Sequence, residues 1–166
     1  VISQADRAKI DAWNNTPSDE LYLKYKDVFD NPKYYDQITG EIHWPGQNGD
    51  FNKDGFVNGV YDKVKLQPGK IIDRYGGNSG IFFGEYGTPI SERAMAPSSD
   101  FSIYNKYVVK KLLPVQKGVI ASWFDQPGGG IQYKLEDNFV EYISGELRPF
   151  EKIIDGLIRM GYLEVQ

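Results

Sequence analysis

The segment Gln126-Pro127-Gly128-Gly129-Gly130-Ile131-Gln132-Tyr133 places three consecutive glycines before a strand-like run. Glycines let a backbone turn sharply and approach a ligand closely. A phosphate-binding loop would hand over to a helix N-terminus, so neither a P-loop nor a dinucleotide fold fits. On composition alone the segment is a flexible hairpin connection. Gln132, at its exit, is an amide that can both donate and accept hydrogen bonds. A second segment, Ile72-Asp73-Arg74-Tyr75-Gly76-Gly77, puts an arginine near a strand end before a glycine turn. It suits a site on a sheet rim, or a plain Asp–Arg surface pair. The Pro-bounded stretch Gly87 to Pro97 supplies Arg93. Two guanidiniums from different segments can grip a diphosphate bidentately, which lysine imitates poorly.

Other residues offer weaker chemistry. Asp50, Asn52 and Asp54 followed by Gly55 match the start of a calcium loop. The twelfth position is Tyr61 rather than glutamate, with Asp62 next to it, so the same residues also read as a solvated Asn/Asp/Gly turn. His43 lies in apolar company before Pro45 and reads as a packed or surface histidine. Tyr104-Asn105-Lys106-Tyr107 brings two tyrosines together at a strand start, where core packing with hydroxyls at the rim is the ordinary arrangement.

Composition removes several classes of function. With no cysteine among 166 residues, disulfides, thiol nucleophiles and Cys-based metal sites are excluded. The single histidine excludes multi-His zinc sites. A net charge of -4 supplies no basic field for nucleic acid. No apolar run reaches the roughly 20 residues of a membrane span. The chain starts with Val, and no signal-peptide pattern follows, as expected of a fragment cut from a longer protein.

The elements that must position these residues follow from pattern. Ser3 and Ser18 are N-cap candidates for two short helices, the second with Leu21, Tyr22, Tyr25 and Phe29 at helical spacing. Residues 34–59 are aromatic, polar and turn-rich, and read as a long ordered loop. Strands are expected at Val60–Leu66, Lys70–Tyr75, Ile81–Phe83, Tyr104–Leu113, Gly118–Trp123 and Ile131–Leu135, with Pro114 and Pro127 as punctuation. Phe150–Met160 reads as an amphipathic helix with Gly161 at its C-terminal end. Strands that follow one another without intervening helices predict an α+β fold: a compact, twisted, mainly antiparallel sheet with N-terminal helices and a C-terminal helix. Residues 1–33 are read as a helical extension or linker end, and 34–166 as the functional domain.

Taken in order, Trp44-Pro45, Asn52-Lys53-Asp54-Gly55-Phe56, Leu66 through Gly76, Gly87-Thr88-Pro89 with Glu92-Arg93, Tyr104 through Tyr107, Trp123 through Tyr133 and Gly161-Tyr162-Leu163 form a series. It resembles the TNT domain family, from about Tyr34 to the end. The resemblance implies an NAD(P)+ glycohydrolase that releases nicotinamide and leaves ADP-ribose. It also implies the C-terminal part of a larger toxin, secreted or delivered into a target cell and countered by a cognate immunity protein. Related fungal secreted enzymes can bind calcium, so a structural calcium is open, and no other cofactor is implied. The family's functional residues fall on Arg74, Arg93 and Gln132. Asn105 stands where the name-giving member has a histidine, and Asp137 to Pro149 looks like an insertion.

The chemistry is compatible with these residues. The nicotinamide–ribose bond breaks through an oxocarbenium-like state with a neutral leaving group, so no general acid is needed. Gln132 would orient the water or hold ribose hydroxyls, while Arg74 and Arg93 hold the diphosphate and so serve positioning at the reacting carbon. Tyr75, Phe82 or Phe83 would stack on nicotinamide. Tyr104, Asn105, Tyr107, Gly129 and Gly130 complete the expected substrate contacts, with Glu85 and Glu92 as weaker carboxylate candidates. The expected partners are NAD+ or NADP+ and an immunity protein, with no nucleic acid and no membrane span. Two rivals remain: an ADP-ribosyltransferase, whose usual acidic pair near the chain end is not evident, and a noncatalytic calcium-stabilised binding module.

Overall fold

Side-chain caps open the first two helices. In the computed structural model, which describes all residues from Val1 to Gln166, the Ser3 hydroxyl accepts from Asp6 N at 3.1 Å at the head of α1 (Gln4–Asp11). Ser18 does the same for Leu21 N at 3.2 Å before α2 (Asp19–Lys24). Tyr25, at φ −118° and ψ 31°, breaks the helical path before α3 (Lys26–Phe29). Residues 34–59 contain no strand or α-helix, as their composition predicts. They are ordered by an isolated bridge between Tyr35 and Ile42 and by two 3-10 turns, Lys53–Gly55 and Val57–Gly59.

Seven strands follow: β1 (Asp62–Leu66), β2 (Ile71–Tyr75), β3 (Phe82–Glu85), β4 (Tyr104–Val109), β5 (Leu113–Val119), β6 (Ile131–Leu135) and β7 (Leu163–Val165). They form one sheet in the order β1-β5-β6-β3-β2-β4-β7, antiparallel at every pairing. The α+β fold is therefore the predicted one. Two expected strands are redrawn: Tyr104–Leu113 ends at Val109, and the strand placed at Gly118–Trp123 is β5, which runs through Pro114. Proline is tolerated there because it falls at the end of the β5–β6 ladder. Its carbonyl accepts from Glu136 N at 3.1 Å, just beyond β6, so its missing N–H costs only a terminal bond.

The supposed insertion forms α4 (Asp137–Glu146), with Phe139 and Ile143 four residues apart on its buried side. α5 is shorter than expected, Ile153–Arg159. A turn precedes it, with Glu151 N on Arg148 O at 3.0 Å and Phe150 at φ 64°. Gly161, at φ 82°, closes α5: Tyr162 N bonds Leu157 O at 2.9 Å and Gly161 N bonds Ile158 O at 3.1 Å, the paired bonds of a glycine C-cap.

Two apolar clusters hold the molecule. One lies between the sheet and α4–α5, joining Ile72, Phe83, Tyr107, Val115, Tyr133 and Leu135 to Ile143, Ile154 and Leu157. The other joins Ile10, Trp13, Tyr22, Phe29 and Tyr35 to Ala94, Ile120, Trp123 and Phe124. Residues 1–33 are helical as expected. They share a core with the later loops, so the expected boundary after residue 33 runs through packed side chains rather than a linker.

Candidate active site

Strand register assembles a polar row on the sheet face turned away from α4 and α5. Asp73 on β2 is opposite Gly84 on β3, Gly84 is opposite Gln132 on β6, and Gln132 is opposite Gly118 on β5. Directly paired residues share a face. The two glycines leave room for what packs beside Gln132. A Cβ on Gly84 would lie 2.7 Å from Arg93 Nη1, and one on Gly118 would lie 2.5 Å from the Phe56 ring.

The Gln132 amide is oriented by the loop above it. Its Nε2 donates to the Asp54 carbonyl at 2.9 Å. A carbonyl only accepts, so this bond fixes which end of the amide is nitrogen. Oε1 is left to face a ligand. Gly55, at φ 84°, brings its Cα side close to the amide: an added Cβ would lie 3.6 Å from Oε1.

Arg93 lies at the end of the 3-10 turn Ile90–Arg93, and its guanidinium pairs with Asp73: Nη2 donates to Oδ2 at 2.9 Å, and Nη1 stands 2.6 Å from Oδ1 as a charge contact without hydrogen-bond geometry. Nε donates to Thr88 O at 2.9 Å. The Asp73 side chain has no exposed surface and that of Arg93 has 7%, so each charge depends on the other for its burial. Tyr104 Oη donates to Asp73 Oδ2 at 2.7 Å. Burial first, and then this bond to a carboxylate, pushes the Tyr104 pKa up to about 12. Tyr75 lies beside Tyr104 with ring centroids 4.8 Å apart, and the Arg93 guanidinium stands 5.2 Å from the Tyr75 ring. Phe82 is on the same face, opposite Lys134, and partly exposed.

Gln132, Tyr75, Tyr104 and Phe82 thus share one face of the sheet, and Arg93 packs onto it through Asp73. Arg74 does not join them. It points to the other face, paired across the strands with Asn105, and its guanidinium donates to Phe82 O at 2.7 Å and Gly77 O at 2.9 Å. Burial lowers its pKa. Gly80 makes room for it, since a Cβ there would lie 2.2 Å from Nη2. The expected two-arginine grip is therefore not assembled: neighbouring residues of the same strand alternate sides, and each guanidinium is occupied by protein groups. Phe83 and Tyr107 are also corrected. They are 3% and 1% exposed and meet edge-to-face in the core, so neither presents a ring to substrate.

The triple glycine works mainly as a docking strip. Gly128 N bonds Ser91 O and Gly130 N bonds Glu92 O, at 3.2 and 3.1 Å. A Cβ on Gly130 would lie 2.8 Å from Thr88 Cγ2, whereas Gly129, at φ 92°, has open space beside it. The strip thereby ties the Arg93 turn to β6. Glu85 faces the core side, bonded to Tyr133 Oη and, at 2.6 Å, to Lys70 Nζ. Burial opposes its ionisation, but these bonds outweigh it and hold the pKa low. Glu92 contributes its backbone carbonyl.

The side chains of the Asp50 loop are bonded to protein groups. Asp50 Oδ2 accepts from Gly46 N and Asn52 N, Asn52 Oδ1 accepts from Asn58 N, and Asp54 Oδ2 lies 3.2 Å from Lys134 Nζ. The three side chains are turned to different protein partners, and no group of three acidic or histidine side chains converges anywhere. His43 accordingly stays outside any metal cluster, with Nδ1 3.1 Å from Pro32 O. Two clefts open elsewhere, one of about 420 Å³ beside Lys33, His43 and Trp123, the other of about 710 Å³ beside Trp13, Tyr35 and Trp44. Neither includes Gln132 or Arg93. The sheet face carries the oriented amide and the buried ion pair.

Several residues of this site escaped the sequence reading. Asp73, which the sequence offers only as the alternative surface partner of Arg74, is the buried partner of Arg93. Gly84 and Gly118 carried a usable signal, because a lone glycine inside a strand marks a close approach. The Asp54 carbonyl carried none.

This architecture defines an α+β domain with a polar site on one face of an antiparallel sheet. The chain belongs to the family described as Tuberculosis necrotizing toxin (TNT), whose pattern matches residues 65–165. It is 32% identical over 122 residues to the conidial surface nicotinamide adenine dinucleotide glycohydrolase nadA of Aspergillus fumigatus, a match covering 69% of this chain and 52% of that protein. The chain thus spans about half the length of that relative. Its fold is similar to that of the tuberculosis necrotizing toxin solved in complex with its immunity factor IFT, with a TM-score of 0.55 and 22% identity over 98% of this chain and 87% of that one. No helix is long and apolar enough to cross a membrane.

Proposed function

We propose that this domain hydrolyses the nicotinamide–ribose bond of NAD(P)+. The observation that carries this reading is the Gln132 amide, held by one bond beside a buried Arg93–Asp73 pair in a chain of this family. As the C1′–N bond breaks, positive charge develops on the sugar and nicotinamide leaves neutral. Oε1, the negative end of a fixed dipole, faces that charge or the attacking water. Water adds to C1′ and its proton passes to solvent, so ADP-ribose and nicotinamide are formed without a general acid. Tyr75 and Tyr104 offer partly exposed rings for stacking. Arg93 maintains this face by joining β2 to the turn that the triple glycine holds, while Arg74 maintains the Gly76–Gly80 loop. The family membership further supports a toxin domain delivered as the C-terminal part of a larger protein, with a cognate immunity protein as partner.

The test is incubation with NAD+ in the presence and absence of acceptor proteins. Free nicotinamide and ADP-ribose in both are expected. Modified acceptor protein in place of free ADP-ribose would mean transfer, and intact NAD+ would remove the catalytic reading.

A further inference from the structure

Lys134 follows Gln132 by two residues on β6 and shares its face. Its side chain is only 11% exposed. Nζ lies 3.2 Å from Asp54 Oδ2 and 3.4 Å from Asp137 Oδ1. Burial opposes its charge, but the hydrogen bonds and charges of Asp54 and Asp137 together outweigh that and raise its pKa. A lysine this buried needs such a partner. Asp54, the nearer of its two partners, is the very residue whose carbonyl accepts from Gln132 Nε2. Asp54 is thus held to β6 at both ends, its carboxylate by Lys134 and its carbonyl by Gln132.

The loop needs that support. Asp54 has φ 57° and ψ 18°, a left-handed conformation few non-glycine residues adopt, and Gly55 follows at φ 84°. Neither residue belongs to a strand ladder or an α-helix. A change in the Asp54 peptide plane would swing away the one acceptor that fixes the Gln132 amide.

We propose that Lys134 and Asp54 are positioning residues for Gln132: the ion pair sets the Asp54 peptide, whose carbonyl turns Gln132 Oε1 toward the reacting ribose. This rests on the reading of Gln132 given above. An ion pair that served only to neutralise a buried lysine would affect stability and leave turnover per folded molecule unchanged.

The test uses Lys134→Met, which keeps most of the stem, and Lys134→Arg, which keeps the charge. Steady-state kinetics with NAD+ are read beside the side-chain amide NMR signal of Gln132, assigned by its loss in Gln132→Ala. Lys134→Met is expected to lower kcat about tenfold or more with KM within about threefold, because small misplacements of a reacting group are costly. It should also shift the Gln132 amide signal, and Lys134→Arg should recover most of both. Adding Lys134→Met to Gln132→Ala should cause no further loss. Wild-type kcat and an unmoved amide signal in folded Lys134→Met would overturn the proposal, as would losses that multiply in the double variant. If Lys134→Met does not fold, Asp54→Asn, which removes the charge and keeps the carbonyl, should show the same kcat loss, and normal turnover there would overturn it. If the wild-type protein leaves NAD+ intact, the catalytic reading fails separately. The amide signal alone then decides the positioning, and an unmoved signal in Lys134→Met overturns it.

Discussion

On the helix side of the sheet, Ile72, Phe83, Tyr107, Tyr133 and Leu135 meet α4 and α5 with almost no exposed surface. On the other side the same strands turn Asp73, Gly84, Gln132 and Lys134 toward loops. The buried polar or charged residues of the chain are Asp73, Gln116 and Lys134, and register puts all three on this second side. A sheet packed on both faces needs only one apolar interface for most of its stability. The other can hold charges, provided each finds a partner. Asp73 finds Arg93, and Lys134 finds Asp54. Neighbours in sequence therefore have different work: Tyr133 packs where Gln132 is aimed, and Arg74 clasps a loop where Asp73 anchors the opposite face.

The comparison breaks most visibly at the core. Phe83→Ala should cost about 3–5 kcal/mol and lower the melting temperature by about 10 °C, read by thermal denaturation. If the folded fraction hydrolyses NAD+ normally, the two faces are separable. On the other face, Gln132→Ala should lower kcat about a hundredfold with little change in melting, because one positioned polar group is lost at the reacting centre. Near-normal turnover in that variant would take Gln132 out of the site.

Arg93→Lys mixes the two effects. Lysine cannot reproduce both contacts on Asp73, so stability should fall by about 1.5–3 kcal/mol with the loss of a charged hydrogen bond. Turnover should fall roughly tenfold as the Tyr75–Tyr104 face loosens. Kinetics and melting both unchanged would mean that the buried pair is dispensable. The smallest effect concerns metal. Millimolar calcium or a chelator should leave both the melting temperature and NAD+ hydrolysis unchanged, since the Asp50 loop side chains are bonded to different protein groups. A calcium-dependent rise in melting temperature would show that the loop can rearrange around an ion.

Local signals were legible wherever a short stretch decides its own structure. The Ser3 and Ser18 caps, the Gly161 helix end, the β6 boundaries and the whole of β2, expected one residue too early at its start, follow from spacing and turn residues. Phe139 and Ile143, four residues apart, carry the helical period of α4. Pro114 reads as a strand end in the sequence, because its place inside β5 depends on a neighbour far away in sequence.

Sequence by itself determined which residues could do chemistry: no cysteine, one histidine, and an amide after three glycines. It also determined alternation within each strand, because successive side chains must point to opposite sides. Only the tertiary structure decided which of those sides is core and which is site. That choice depends on strand order and on what covers each face. It separated Arg74 from Arg93, buried Phe83 and Tyr107, and made Asp73 the partner of an arginine twenty residues on. It also brought the Asp54 carbonyl onto Gln132, a contact between a backbone group and a side chain 78 positions apart that no local pattern encodes.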